Sequence, residues 1–148
     1  MSGLLLHSPA DVVARLLIAL GQGVAPGAGT PWQIQADKEP SSPDNTITTY
    51  NTDGYIHGRT QVDGEYQVHE GVLVRVRATD SKVGATKAWA IANVIAKVVK
   101  NNSVRIDTST YEVYNMNLKG QVIPLGVQPG TKRFLWTINA TVAMRQVS

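Results

Sequence analysis

The sequence predicts an α+β domain in which two α-helices pack on one face of a mainly antiparallel β-sheet, in the order α-β-β-β-α-β-β-β. Three observations carry this. Two segments place apolar residues at helical spacing behind capping residues, the other apolar segments alternate with period two, and Gly, Pro, Asn and Asp mark the boundaries. The 148 residues fit one domain spanning 1–148.

The first helix opens at Ser8, an N-cap residue, with Pro9 at its first position, and ends before Gly21 and Gly23. Val12, Val13, Leu16, Leu17 and Leu20 form a face that something must cover. Residues 23–31, built of Gly, Ala and Pro, read as a flexible loop. Residues 32–36, opening on Trp32, alternate as a strand until Pro40-Ser41-Ser42-Pro43-Asp44-Asn45 breaks it. A second strand at 47–50 closes at Asp53-Gly54, and residues 59–69 hold another turn at Asp63-Gly64. Val72, Val74, Val76 and Ala78 then share one face of a strand, and its other face, with Leu73, Arg75 and Arg77, is expected to be wet.

Asp80 or Ser81 caps a second helix running to about residue 100. Its stripe is Val83, Ala90, Ile91, Val94, Ile95 and Val98, and Asn101-Asn102 ends it. Strands at 111–118 and 122–125 follow. After the turn at Pro129-Gly130, a long final strand at 132–145 puts Phe134, Trp136, Ile138, Ala140, Val142 and Met144 on one face. Leu135, Thr137, Asn139, Thr141, Ala143 and Arg145 share the other.

Composition narrows the function. An apolar fraction of 43% with 17% charged residues is that of a chain that folds. The most apolar stretch, residues 12–20, contains Arg15 and is too short to cross a bilayer. The start lacks the positive residues of a secretory signal, so a mature cytosolic N-terminus is expected. With no cysteine, disulfides, thiolate metal sites and a cysteine nucleophile are excluded. The net charge of +3 is scattered, its densest groups being Arg75 with Arg77 and Lys132 with Arg133, and solvated faces explain it.

Nothing in the pattern assembles a nucleophile, a base and an orienting group, so an enzyme is not expected. His7, His57 and His69 lack the spacing of a metal pair, and no cofactor or metal is expected. Asp44, Asp53, Asp63 and Asp80 do not share one loop, which leaves them turn and cap roles. Trp32, Trp89 and Trp136 stand in periodic segments, where burial in a core or an interface is expected. What remains is geometry: polar strand faces bearing Arg75, Arg77, Asn139, Thr141 and Arg145, and sheet edges able to meet neighbours.

A resemblance runs through Pro43-Asp44-Asn45-Thr46-Ile47 leading to Tyr50, the Gly64 turn before Val72-Leu73-Val74-Arg75-Val76-Arg77, and the helix from Lys82. It continues from Leu125-Gly126 through Arg133-Phe134-Leu135-Trp136-Thr137-Ile138-Asn139-Ala140. Together these residues resemble the minor-capsid and tail-terminator proteins of long-tailed bacteriophages. The resemblance implies a virion protein, made in the host cytoplasm, that forms a closed ring, usually six-fold, at the head-proximal end of the tail. Such a ring stops tube polymerisation and presents a docking surface for the head. Its partners would be further copies of itself, the tail tube protein and head-neck connector proteins, with DNA only passing through the channel and no membrane. Candidate interface residues are then Trp32, Asp53, Asp63, Arg75, Arg77, Arg133, Asn139 and Arg145, with the loop 23–31. Residues 59–70 and the Pro129-Gly130 turn depart from the family pattern.

Two other readings compete. A head-completion or neck connector protein also forms rings, on the portal side. A nucleic-acid-binding module draws on the pI of about 9.3 and on Arg75 and Arg77, and it predicts binding that weakens steeply with salt.

Overall fold

The computed structural model describes residues 6–27, 32–59, 66–98 and 102–147, with the backbone alone for 53–59 and 66–68. Its elements are α1 (Pro9–Ala19), β1 (Gln33–Ala36), β2 (Thr46–Arg59), β3 (Tyr66–Ala78), α2 (Ser81–Ala96), β4 (Asn102–Ile106), β5 (Ser109–Leu118), β6 (Ile123–Val127) and β7 (Phe134–Gln146). The fold is α+β, with both helices on one face of a seven-stranded, mainly antiparallel sheet.

α1 starts where its sequence dictates. Ser8 Oγ accepts from the Asp11 N–H at 3.2 Å, which satisfies one of the free donors of the first turn. Val12, Val13, Leu16 and Leu17 are buried on the sheet, whereas Leu20 lies at the C-cap and is 37% exposed. α2 is capped by Asp80, whose Oδ1 accepts from the N–H groups of Lys82 at 2.9 Å and Val83 at 3.0 Å. It ends at Ala96, short of the predicted end.

The strand order is β1-β2-β3-β7-β5-β4, and β6 also pairs with β7. Val72, Val74 and Val76 stand opposite Ala140, Ile138 and Trp136, and this face, with Val113 and Met116 of β5, meets both helices in one apolar core. Gly84 is the closest approach: the Trp136 ring and the Ala78 side chain occupy the space where a Cβ would stand. A glycine inside a helix is thus explained by packing, not by a turn.

Three features depart from the sequence expectation. The Asp53-Gly54 pair does not close β2. The register instead shifts between Thr52, opposite Gly71, and Tyr55, opposite His69, so a bulge absorbs the pair and the strand runs on. The turn at Asp63-Gly64 lies outside the described residues. Second, residues 102–106 form a strand, β4, on the outer side of β5, although five residues following a helix give little pattern to read. Third, β5 and β6 lie end to end along the same side of β7. β5 faces 140–146 and β6 faces 134–137, and the Lys119 N–H donates to the Asn139 carbonyl at 2.8 Å in the gap between them.

The parallel pairing of β1 with β2 has the largest consequence. Ala36 lies beside Thr49, at the far end from Thr46, so residues 37–45 must travel back along the sheet before β2 can begin. They cross the face opposite the helices, as shown by the contacts of Arg77 described next.

Candidate functional site

The candidate residues do not gather in one place. Arg77 and Arg133 meet at the 37–45 crossover, Arg75, Asn139 and Arg145 stand on the open face of the sheet, and Trp32 lies on the helix side. The Asp53 side chain and all of Asp63 lie outside the described residues.

Arg77 is the clearest correction. A wet face was expected for it, yet it is only 2% exposed. Its Nη2 donates to the Pro43 carbonyl at 2.8 Å and its Nε to the Asp44 carbonyl at 3.1 Å, while Nη1 pairs with Glu39 Oε1 at 3.3 Å. Burial, and then the neighbouring Arg133 charge, draw its pKa below that of a free guanidinium. An arginine here supplies several donors in a fixed fork to carbonyls that a loop lying on a sheet would otherwise leave unpaired. Arg133 clasps the same loop from outside, with Nη2 at 2.7 Å and Nε at 2.8 Å from Asp44 Oδ1. The two arginines therefore hold the chain to itself; Arg77 offers no surface to a neighbour.

The open face keeps the rest. Arg75 lies 5.7 Å from the Tyr50 ring centroid and Arg145 lies 5.5 Å from that of Tyr114, with Glu112 Oε2 at 3.7 Å from the Arg145 Nη2. Burial, with Glu39 nearby, pushes the Tyr50 hydroxyl above its ordinary pKa, so the ring that Arg75 covers stays neutral. Asn139 is half-buried between Leu73 and the start of the β5–β6 gap.

Residues that the sequence did not offer as interface candidates form a strand with exposed apolar side chains. All of β6 is exposed, with Ile123 at 47%, Leu125 at 49% and Val127 at 50%. Among the described strands β6 pairs only with β7, so its outer side is an edge. Pro124 within it was a readable signal, since proline lacks the ladder donor and is confined to edges. The tryptophans divide: Trp136 is buried in the core, Trp32 is half-buried, and Trp89, expected in a core or an interface, lies outside the core and is 50% exposed on the single chain. Val83, placed in the apolar stripe of α2, is 45% exposed as well. Both lie off the arc of Gly84, Ala88, Ile91, Ala92 and Ile95 that meets the sheet.

No described helix is long and apolar enough to cross a membrane, and the described residues contain no group of three or more His, Asp or Glu placed to hold a metal. No protein-family model matches the chain, and no curated protein matches it.

Proposed function

We propose that the chain is a structural virion protein that forms a ring at the head-proximal end of a phage tail, ending polymerisation of the tube and giving the head its docking surface. The observation that carries this reading is the β6 edge. Three large apolar side chains, Ile123, Leu125 and Val127, stand about half exposed on one strand that, among the described residues, is paired on one side only. Across the register shift Ile123, opposite Thr137, and Val127, opposite Phe134, face different sides of the sheet, so the edge presents apolar side chains on both, and covering them is what a contact with another protein would do. The edge is also blunted against simple strand addition. Pro124 removes a donor, and the register shift between Pro124 and Gly126, with Gly126 at φ +79, bends the strand. A contact through side chains at a bent edge favours a closed head-to-tail ring over an endless sheet. The sequence resemblance supplies the phage setting, and a neck connector would use the same edge on the portal side.

The test is the mass in solution by light scattering, across concentration and salt, with and without tail tube protein. A discrete ring of about six subunits is the expected result, the number being what the sequence resemblance implies and closure what a head-to-tail contact allows. A monomer at every concentration, both alone and with tube protein, would sink the reading.

One observation favours a second reading. The Arg75–Tyr50 and Arg145–Tyr114 pairs put cations and aromatic rings together on the open face, the combination that single-stranded nucleic acid uses. Binding of an oligothymidylate that falls steeply with added salt would move the function there.

A further inference from the structure

The helix side holds a groove of about 530 Å³ between Trp32 and α2, lined by Lys82, Val83, Thr86, Lys87 and Ala90. The spacing of the helical residues brings them onto one stripe, since positions three and four apart are neighbours on a helix surface. Trp32 reaches them by an unusual backbone. Its φ is +66, a left-handed value that bulky residues rarely take. Its carbonyl accepts from the Val24 N–H at 3.0 Å, and that oxygen, with the Ile34 side chain, occupies the space where a Cβ on Gly23 would stand. The turn before β1 thus sets the indole beside α2.

Within the groove the Lys87 ammonium lies 5.8 Å from the centroid of the Trp32 ring and donates to Gln22 Oε1 at 3.3 Å. Both partners are neutral. Burial lowers the Lys87 pKa, with no carboxylate acting against it. None of the six lining residues is acidic, Lys82 is exposed at the rim, and Val83 presents apolar surface between the two lysines. Among the described residues the two lysines form no ion pair, the nearby Asp80 carboxylate being engaged by the N–H groups of the first turn of α2, and the site adds an aromatic wall and an apolar floor.

We propose that this groove docks an acidic peptide segment of a partner protein, with a carboxylate bridging Lys82 and Lys87 and an apolar side chain resting on Val83 and Ala90 against the Trp32 ring. Charge complementarity selects the acid, and the apolar floor selects a peptide. A nucleic acid would ask for a longer track of phosphate contacts than two lysines provide. The proposal does not depend on the ring reading, because the groove and the β6 edge are separate surfaces.

The experiment titrates the isotope-labelled full chain with a short synthetic peptide of alternating Glu and Leu, followed by amide and indole NMR shifts. Saturable shifts confined to the Trp32 indole and to residues 82–90 are expected, and they vanish when every Glu of the peptide is Gln. Lys87→Met keeps the apolar stem and is expected to weaken binding about tenfold or more, the loss for a charge-assisted hydrogen bond. Lys82→Gln, on an exposed side chain, gives the same direction of change should Lys87→Met fail to fold. No saturable shift at millimolar peptide, shifts mapping elsewhere, unchanged affinity in both variants, or an oligothymidylate occupying the groove more tightly than the peptide would each overturn the proposal.

Discussion

The helix face of the sheet and the part of the opposite face at the 37–45 crossover are equally hidden and held by different physics. On the helix face Val72, Val74, Val76, Ile138, Ala140 and Val142 are all 0% exposed, covered by the apolar stripes of α1 and α2. On the opposite face Thr48 is 0%, Thr46 1% and Arg77 2% exposed, yet what covers them is a loop of polar residues. The first face is stabilised by the hydrophobic effect, which is non-directional and grades smoothly with area. The second depends on a few directional bonds to loop carbonyls, and losing one leaves a buried group unpaired. Burial there follows from topology: a parallel β1–β2 pair requires a return path, and the path needs donors beneath it.

Arg77→Ala should test this contrast with the largest effect. It removes the partner of Glu39, which is only 13% exposed, together with the donors to the Pro43 and Asp44 carbonyls. Breaking a buried pair from one side costs about 3–5 kcal/mol, measured as the shift in urea unfolding. A cost below about 1 kcal/mol would mean that the loop face is held like an ordinary surface.

Gly84→Ala probes the other face, where failure should take the form of crowding. In a free helix the change would stabilise by about 1 kcal/mol. Here the new methyl group would intrude on the Trp136 ring and touch the Ala78 side chain, so a net loss of about 1–3 kcal/mol is expected. A gain in the thermal midpoint would show that the helix can lift off the sheet at no cost, and that this face is packed more loosely than its burial implies.

How much of this was legible follows the same division. The helix face was readable because Val72, Val74, Val76 and Ala78, and the matching run from Trp136 to Val142, write their burial as period-two alternation. Both helix starts were readable from Ser8-Pro9 and Asp80, whose caps act locally. Arg77 was not, because its burial is decided by where residues 37–45 travel, and strand pairing direction has no local signature. Trp32 was singled out without its reason, since nothing in its neighbours announces a left-handed φ. Lys87 drew no notice and Lys82 only as the start of a helix, both being ordinary helix residues until Trp32 is placed across from them. The β6 edge was half legible: Pro124 could have marked it, but its exposure follows from β5 and β6 sharing one side of β7, and a pairing of that kind has no local signature.

Arg133→Ala should give the smallest change and sharpen the comparison most, because it removes the second guanidinium on the same loop from the outside. Arg133 is 23% exposed and its partner Asp44 is 52% exposed, so the carboxylate left behind is still solvated. A pair of that kind contributes at most about 1 kcal/mol. Part of even that is offset, since the Arg133 charge acts against the charged form of Arg77 and its removal relieves that repulsion. Salt separates the two arginines further. In about 1 M salt, where screening acts over roughly 3 Å, the difference between Arg133→Ala and the parent should shrink toward zero, while the cost of Arg77→Ala persists because that guanidinium is itself buried at 2% exposure. Should Arg133→Ala cost as much as Arg77→Ala and resist salt, the crossover would be held from its solvent side, and the inner arginine would be filling space rather than anchoring the loop.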